Sequence, residues 1–388
     1  MRILSIHNAY KIRGGEDESR ESEERLLREY GHTVDVYEES NDDIASYSAA
    51  QLAVKTVWSQ ASYRKVRKRI AAGGYDVVHI QNFFPLISPA AHYAAKAEGA
   101  AVVQTLRNYR LICPNALFFR SGNVCEDCVG KPVPYPGIIH GCYRESRVAS
   151  TAVATMLVAH RLAQTWKNQV DVFIALTNFA KQKLVEGDLP KDKIMVKPNF
   201  LVSDPGVETK KEGYALFVGR LAVEKGLDTL IEAWKQLRTP YALKIVGDGP
   251  LVPLVEEAVE EMPHIQWLGR RPMAEVHEIM GKAQCLIFPS KWYETFGRVA
   301  VEAFAKGTPV VAAQIGAIAE LVEDGKTGLY FQPGDAADLA QKVTAMFSDL
   351  SQQGDMQKAA RQTFVERYTA PENYQQMMKI YESAITRS

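Results

Sequence analysis

The sequence predicts an α/β protein of two successive domains, each built on a parallel β-sheet with helices on both faces. Short apolar runs of strand length alternate with helix-length amphipathic segments through the first half of the chain. A stretch rich in proline, glycine, serine and charged residues interrupts this pattern at 198–213, and the alternation then begins again. A chain of 388 residues is also too long for one compact core. We therefore predict a linker at 198–213, with a cleft between the two domains.

Local periodicity defines the predicted elements. In the first domain, residues 1–199, strands are predicted at 3–6, 33–37, 76–80, 101–105, 172–176 and 194–197. Helices are predicted there at 17–30, 44–72, 89–98, 148–170 and 178–186. In the second domain, residues 200–370, we predict strands at 214–218, 243–246 and 285–288 and a helix at 227–236.

The final segment, 371–388, reads as an amphipathic helix that crosses back to the first domain. Its predicted buried stripe consists of Tyr374, Met377, Met378 and Tyr381.

Charge and hydropathy exclude several functional classes. Lysine plus arginine and aspartate plus glutamate each number 46, so the composition argues against nucleic acid as a partner. Arg2 leads directly into a strand-like run, with no signal peptide and no apolar segment of membrane-spanning length. We therefore expect a cytoplasmic protein with at most a peripheral contact at the inner face of the membrane.

A basic run at 63–69 lies within the predicted helix 44–72. It has two interpretations: contact with an anionic membrane surface or a lipid-linked acceptor, or a helix face that is simply solvated. Charge runs on helices usually face water, which favours the second interpretation.

Two glutamates mark the segment 289–312 as the predicted centre of the site. Glu294 precedes a Phe296-Gly297 turn, and Glu302 follows inside a helix among apolar residues. A loop that enters a helix after a strand presents free backbone N–H groups to an anion. Two carboxylates flanking that helix start suit a sugar and a ribose beside a phosphate.

Glycine-rich turns follow the first strand of each domain. Gly14 and Gly15 precede a helix in the first domain, while Gly219 is followed by Arg220 and Lys225 in the second. These two cations can neutralise a diphosphate without a metal ion. The absence of any Asp-x-Asp triplet points the same way.

These motifs, together with the Val246-Gly247-Asp248-Gly249-Pro250 turn, resemble those of glycosyltransferase family 4, whose members are retaining enzymes. The resemblance spans nearly the whole chain. It implies the GT-B fold, in which two Rossmann-like domains face a cleft. A nucleotide-diphosphate sugar is then the expected donor, with no cofactor required for catalysis.

The resemblance also implies residue roles. Glu294 would contact hydroxyls of the donor sugar, Glu302 would hold the ribose, and Arg220 with Lys225 would grip the diphosphate. Arg271 would lie near the nucleobase. The expected donor-binding set consists of Gly14, Gly15, Gly219, Arg271, Phe296, Gly297, Arg298, Val299 and Glu302.

One departure concerns the turn after strand 101–105. Many family members carry His-Asp there, near the donor sugar, whereas this chain has Arg107-Asn108. Arginine stays protonated and cannot act as a base. Arg107 either binds an anionic group of the donor or acceptor, or marks an altered or inactive site; the intact donor motifs favour the substrate contact. His7 and His79, which end or follow first-domain strands, are weaker site candidates.

A cysteine-rich insert occupies about 107–146, a segment containing many prolines and glycines. Four cysteines at this density predict either a tetrahedral structural zinc site or reduced free thiols. The four candidate ligands are Cys113, Cys125, Cys128 and Cys142. The insert directly follows Arg107-Asn108, so it is expected to shape the acceptor site.

The predicted function is therefore transfer of a sugar from a nucleotide-diphosphate donor to an acceptor hydroxyl of a glycan, a lipid-linked molecule or a small molecule. Two alternatives stay open: a non-catalytic nucleotide-sugar-binding or partner protein that kept the fold, and a GT-B epimerase. The base of the nucleotide, the sugar and the acceptor are not specified by the sequence.

Overall fold

A computed structural model describes all 388 residues, which form two compact units. The first unit comprises Met1–Phe118, Cys125–Asn199 and Asn373–Ser388, and the second comprises Phe119–Val124 and Phe200–Glu372. Each unit contains a six-stranded sheet whose neighbouring strands all run parallel. The predicted α/β class is confirmed.

The first sheet reverses its direction of growth between two of its strands. Its order is β2-β1-β3-β4-β7-β8, so the chain leaves β1 toward one edge and returns beside it at β3. Such a switch point leaves a crevice at the carboxyl ends of the two strands. The strands are β1 (Arg2–Ala9), β2 (Thr33–Ser40), β3 (Val77–Asn82), β4 (Ala101–Leu106), β7 (Val172–Ala175) and β8 (Ile194–Val196).

Helices connect these strands, and a two-stranded antiparallel hairpin of β5 (Phe119–Arg120) and β6 (Asn123–Val124) follows β4. The helices before the second sheet are α1 (Gly15–Glu29), α2 (Ala49–Val57), α3 (Gln60–Gly73), α4 (Ala90–Ala97), α5 (Tyr135–Ile139), α6 (Arg147–Leu162), α7 (Thr165–Asn168) and α8 (Asn178–Glu186). Short 3-10 turns occupy Asn41–Ser46 and Lys191–Lys193.

The second sheet has the order β11-β10-β9-β12-β13-β14, with its switch point between β9 and β12. Its strands are β9 (Tyr214–Val218), β10 (Ala242–Val246), β11 (Ile265–Trp267), β12 (Cys285–Phe288), β13 (Val310–Ala313) and β14 (Gly328–Phe331). Its helices are α9 (Leu227–Gln236), α10 (Val252–Glu261), α11 (Met273–Lys282), α12 (Arg298–Ala305), α13 (Ile318–Leu321), α14 (Ala336–Ser348) and α15 (Leu350–Arg367), with a 3-10 turn at Val223–Lys225.

The last helix, α16 (Ala370–Arg387), contributes to the core of the first unit. Met377 and Tyr381 are fully buried with sheet residues such as Ile3. Of the other two residues in the predicted stripe, Tyr374 is half-buried and stacks on Tyr30 with ring centroids 3.8 Å apart, and Met378 is half-buried at the edge of the core.

Two predicted helices were each too long. The predicted helix 44–72 is interrupted because Ser48 and Ser59 act as N-caps, each accepting a hydrogen bond from the backbone three residues later. The predicted helix 148–170 ends at α6, and Gln164 then takes a left-handed conformation with φ of 52° before α7. Local capping and turn geometry therefore override the apolar periodicity.

The basic run lies on α3, whose buried face consists of Ser62, Val66 and Ile70. Its charged side chains are exposed, and Arg67 pairs with Glu98 at 2.6 Å. No helix of the protein has the length and apolar character required to cross a membrane.

Candidate functional site

The second unit brings two of the predicted residues into direct contact at its switch point. Lys225 follows β9 and Glu294 follows β12, and these parallel strands are neighbours in the sheet. Lys225 Nζ lies 2.5 Å from Glu294 Oε1. A cation and a carboxylate from distant parts of the sequence thus meet where α/β sheets usually bind ligands.

Glu294 is held by further donors that the sequence did not single out. Its Oε1 also accepts hydrogen bonds from Ser290 Oγ and Trp292 Nε1, each at 3.0 Å, and the residue is only 8% exposed. Ser290 and Trp292 belong to the same Pro-Ser-Lys-Trp-Tyr-Glu run, which was the available signal. The carboxylate is consequently fixed in position before any ligand binds.

Close backbone packing places Lys225 beside Glu294. Gly226 has φ of 72°, and a Cβ at this position would lie 1.9 Å from the carbonyl oxygen of Pro289. Lys291 N also donates to Glu224 O at 2.9 Å. Only glycine allows this approach of the two loops, which explains why a glycine follows the lysine.

A second glycine supports the same loop from the other side. Gly247, in the turn after β10, has φ of 145°, and a Cβ there would lie 1.8 Å from the carbonyl oxygen of Gly219. Leu221 N donates to Asp248 O at 2.9 Å. The Gly247 turn and the Gly219 loop are therefore packed backbone to backbone.

Glu302 lies on α12, whose N-cap is Gly297 with φ of 113°. The side chain is 2% exposed, and its Oε1 accepts from Arg298 Nε at 3.0 Å. Phe296 is buried as well, with its ring edge-on to Tyr368. The Arg298 contact within the first turns of α12 therefore helps to hold the buried Glu302 carboxylate in place.

The remaining predicted donor residues of this unit are more exposed. Arg220 is exposed and has no ion pair or side-chain hydrogen bond. Arg271 lies before α11, with its side chain 44% exposed and its Nη1 3.8 Å from Glu275. Val299 is half-buried in the first turn of α12.

In the first unit, Gly14 is the N-cap of α1 and Gly15 is its first residue. Gly14 N donates to Asp17 Oδ2 at 3.0 Å, while Asp17 Oδ1 lies 2.8 Å from His7 Nε2. Burial favours the neutral form of Asp17, but the hydrogen bonds from His7 and Gly14 outweigh it and lower the Asp17 pKa. His7 therefore anchors the helix start.

Space around this glycine pair is open. No protein atom lies within 4 Å of a Cβ built on Gly14 or Gly15. Gly14 has φ of −139°, which other residues also adopt. The fold itself thus gives no reason for glycine at either position.

Arg107 is part of a buried ion cluster. Its Nη2 lies 3.0 Å from Glu23 Oε2, and Lys197 Nζ lies 2.9 Å from Glu23 Oε1. Arg107 Nη1 donates to Asn199 Oδ1 at 2.8 Å. The pKa of Glu23 would be raised by burial alone, but the two cations hold it well below its usual range. Arg107 therefore has a structural role that explains its presence without invoking an inactive site.

His79 is buried beside this cluster and is not among the residues that line the pocket bordered by Arg107. Its Nδ1 lies 2.8 Å from Tyr381 Oη and its Nε2 lies 2.7 Å from Thr105 Oγ1. Burial lowers the pKa of His79 to about 4. The residue links β3 to the C-terminal helix as a neutral imidazole.

Asn108 borders a pocket of about 170 Å³ at the carboxyl ends of the first-unit strands. Its Nδ2 donates to Glu16 Oε1 at 3.2 Å, and its Oδ1 accepts from Arg110 N at 3.1 Å. The insert supplies Tyr143 and Arg144 to the pocket wall. The sequence predicted that this insert borders the site, but it did not identify Arg110, Tyr143 or Arg144.

All four cysteines of the insert carry free thiols in the structure. No two of them form a disulfide, and no group of three or more His, Cys, Asp or Glu side chains is arranged to hold a metal ion. Cys128 Sγ contacts Pro134 O at 3.9 Å, and burial raises the pKa of this thiol to about 12. A zinc site and reduced thiols therefore both stay predictions for the four candidate ligands, Cys113, Cys125, Cys128 and Cys142.

Family comparisons agree with the site geometry. Residues 203–363 match the family described as glycosyl transferases group 1, and residues 24–204 match Glycosyltransferase Family 4. The chain belongs to the family 4 glycosyltransferases. This confirms the resemblance that the motifs indicated.

Curated relatives match parts of the chain. An uncharacterized glycosyltransferase of Methanocaldococcus jannaschii is 33% identical over 181 residues, covering 46% of this chain and 50% of the relative. Glycogen synthase of Mycobacterium tuberculosis is 35% identical over 153 residues, 38% of this chain and 37% of the relative. The chain thus spans about half or less of these curated relatives.

Solved structures match over nearly the full length. The Anabaena protein HepE, solved in complex with UDP and glucose, aligns with a TM-score of 0.70 and 18% identity over 98% of this chain and 99% of that chain. Sucrose-phosphate synthase from Thermosynechococcus elongatus aligns with a TM-score of 0.72 and 17% identity over all of both chains. At these identities the comparison establishes the shared fold.

Proposed function

We propose that this protein is a retaining glycosyltransferase that moves a sugar from a nucleotide-diphosphate sugar to an acceptor hydroxyl. The observation that carries the proposal is the contact between Lys225 and Glu294 at the β9/β12 switch point. A carboxylate fixed by three donors is suited to orient sugar hydroxyls. The adjacent cation is suited to the diphosphate.

Charge for the departing diphosphate would come from side chains and a helix end. Arg220 is exposed without an ion-pair partner, and Lys225 is 24% exposed, so both remain accessible to an anion. The start of α12 after Gly297 adds the partial positive charge of a helix N-terminus. This combination supports a transfer in which positioning and electrostatic stabilisation supply the catalysis.

Glu302 and Arg271 complete the proposed donor site. Glu302 would accept hydrogen bonds from the ribose, and Arg271 would lie near the base. Support comes from the family match and from the complexes of HepE with UDP and glucose. The family resemblance implies that the transfer retains the anomeric configuration of the sugar. In such a transfer, the leaving phosphate accepts the proton of the acceptor hydroxyl. Arg107 cannot serve as a base, which is compatible with this mechanism.

The acceptor would bind to the first unit. It would be a glycan, a lipid-linked molecule or a small molecule. The exposed cations of α3 are compatible with a peripheral membrane contact, as would suit a lipid-linked acceptor. The solvated-face interpretation of α3 accounts for the same exposure.

A ligand screen tests the proposed function. Ligands that bind only the folded state raise its melting temperature, so UDP-, GDP-, ADP- and TDP-sugars can be compared by thermal shift. We expect one donor to stabilise the protein and to be slowly hydrolysed. Arg220→Ala should weaken both nucleotide binding and turnover by about tenfold. Donor binding without hydrolysis, and without transfer to any acceptor of a broad panel, would favour the non-catalytic alternative.

Alanine at the glycine pair tests whether a ligand approaches the first-unit loop. Gly15→Ala introduces a methyl group into open space at the start of α1, so stability should be unchanged or higher by about 0.5–1 kcal/mol. If a donor phosphate contacts this backbone, transfer should nevertheless fall about tenfold or more. Kinetics and thermal melts of the same sample measure both effects.

Gly354→Ala is the matched control, because this helical glycine of α15 also has no neighbour within 4 Å of a built Cβ. Its transfer rate should equal that of the wild type. A transfer rate of Gly15→Ala equal to that of the wild type would show that the loop does not contact the donor.

A further inference from the structure

The pocket of the first unit carries an excess of positive charge. Three arginines line it, Arg107, Arg110 and Arg144, and none of its lining residues is acidic. The nearest carboxylates are already engaged: Glu23 with Arg107 and Lys197, and Glu16 with the Tyr10 hydroxyl and Asn108. Since Glu23 faces two cations, the buried cluster behind the pocket also has a net positive charge.

Arg110 packs against two aromatic rings that also contact each other edge to face. Its guanidinium carbon lies 4.3 Å from the centre of the Phe84 ring and 4.9 Å from that of Tyr143. Nη1 donates to the carbonyl oxygen of Pro114, and no carboxylate pairs with the group. A guanidinium packed against aromatic rings keeps N–H groups at its edge for a ligand, and its planar fork can bind phosphate or carboxylate in a bidentate manner.

Arg144 adds a second cation at the pocket entrance. Its side chain is exposed, lies 5.4 Å from the Tyr143 ring and has no ion pair. The backbone of Arg144 is left-handed, with φ of 54°, and so is that of Glu145, with φ of 53°. Two consecutive non-glycine residues in this region are uncommon and energetically costly, and here they end the insert at the pocket wall.

The remaining wall suits a sugar. Tyr10, Phe84 and Tyr143 bring aromatic rings to the lining. Asn41, Asn82 and Gln104 bring amides, each of which also makes a hydrogen bond within the protein. Aromatic rings and amides recognise the apolar faces and hydroxyls of a sugar, while the arginines require a negative charge on the same molecule.

We propose that this pocket binds an acceptor that carries an anionic group, a carboxylate or a phosphate, held by Arg110 and Arg144. The inference rests on the proposed glycosyltransferase function, because it identifies the pocket as the acceptor site. A uronic acid residue would supply the carboxylate. A phosphorylated sugar or a lipid-linked phosphate would supply the phosphate.

A binding comparison tests the proposal without relying on turnover. Methyl glucuronide, glucose 6-phosphate and neutral methyl glucoside are titrated by ligand-observed NMR. The donor site is saturated by the nucleoside diphosphate that corresponds to the sugar nucleotide identified in the thermal-shift screen. We expect at least one anionic sugar to bind about tenfold or more tightly than methyl glucoside. The better of the two anions distinguishes a carboxylate acceptor from a phosphate acceptor, and equal binding of both supports the shared class.

Variants link that preference to the arginines. Arg144→Gln changes an exposed side chain and should preserve folding, yet it should remove most of the preference for the anion. Arg110→Lys keeps the charge but loses the planar group, so it should weaken the anionic sugar about tenfold and methyl glucoside much less. A melting curve of each variant checks folding.

Two results would overturn the proposal. One is neutral methyl glucoside binding as tightly as both anionic sugars, and the other is no binding of either anionic sugar below about 10 mM. Nucleotide-sugar binding and hydrolysis in the wild-type protein are measured separately. A protein that hydrolyses the donor but ignores the acceptor's charge contradicts only this inference, whereas one that neither binds nor hydrolyses any donor contradicts the proposed function.

Discussion

Replacing Glu294 with glutamine is expected to lower sugar transfer about 100-fold while leaving nucleotide affinity within about threefold of the wild type. Glutamine preserves the shape and retains an acceptor for Ser290 and Trp292. It removes the negative charge next to Lys225 and the charged acceptor for sugar hydroxyls. Because the carboxylate is proposed to contact the sugar, while Lys225 and Arg220 remain to bind the diphosphate, the loss should appear in kcat more than in nucleotide binding.

Steady-state kinetics and calorimetric titration with the nucleoside diphosphate separate the two effects. Glu232→Gln is a matched control, since Glu232 is exposed on α9 of the same unit and accepts only a local hydrogen bond from Gln236. It should leave both quantities unchanged. If Glu294→Gln turns over at the wild-type rate, Glu294 does not orient the donor sugar.

The donor half of the site was largely predictable because its determinants are local in sequence. The strand at 214–218 and the helix at 227–236 were predicted with the bounds that the structure has. Lys225 and Glu294 each follow a strand of the predicted sheet. Parallel strands that neighbour each other present such residues at one edge, so their meeting follows from the topology.

Arg107 was harder to interpret because its partners are distant in sequence. Its position after β4 predicted a site residue, but Glu23 lies on α1 and Lys197 lies at the end of the first unit's sheet. The hydrophobic periodicity of the sequence gives no information on the pairing of these cations with Glu23. The same limit applies to the pocket, where Phe84 and Tyr143 pack against Arg110 from separate segments.

Two predicted helices were wrong in their extent for a different reason. Ser48 and Ser59 interrupt the predicted helix 44–72 as N-caps, a local alternative that competes with helix periodicity over a few residues. The cysteine spacing allowed two interpretations, a structural zinc site and reduced thiols, and it does not choose between them. Spacing gives the number of candidate ligands, but only the backbone decides their geometry.

Replacing Glu23 with alanine should destabilise the protein by about 3–5 kcal/mol, because it leaves Arg107 and Lys197 buried without their shared carboxylate. The three side chains are 1%, 3% and 0% exposed, so solvent cannot replace the lost partner. Chemical unfolding followed by fluorescence measures the change in the free energy of unfolding.

Glu278→Ala is the matched control for an exposed pair. Glu278 binds Lys282 at 2.9 Å, but its side chain is 66% exposed, so the loss should be at most about 0.5 kcal/mol. In the double variant Glu23→Gln with Lys197→Met, the destabilisation should be smaller than the sum of the two single effects by about 1–3 kcal/mol. Additive single effects would show that the two residues are not coupled.

The pH dependence of stability should carry the signature of the same buried groups. His79 has its pKa lowered to about 4 by burial, so the unfolded chain binds a proton below about pH 6.5 that the folded protein does not, and stability falls as the pH drops from there toward 4. Glu23 has its pKa held well below the usual range, so its contribution is present above about pH 4.3 and declines as the pH falls further. Glu23→Gln lacks the titrating carboxyl, so its stability should fall between about pH 6.5 and 4, as in the wild type, without the further fall below about pH 4.3. The difference in the free energy of unfolding between the wild type and this variant should therefore narrow below about pH 4.3. Parallel stability curves across that range would contradict the assignment of the cluster.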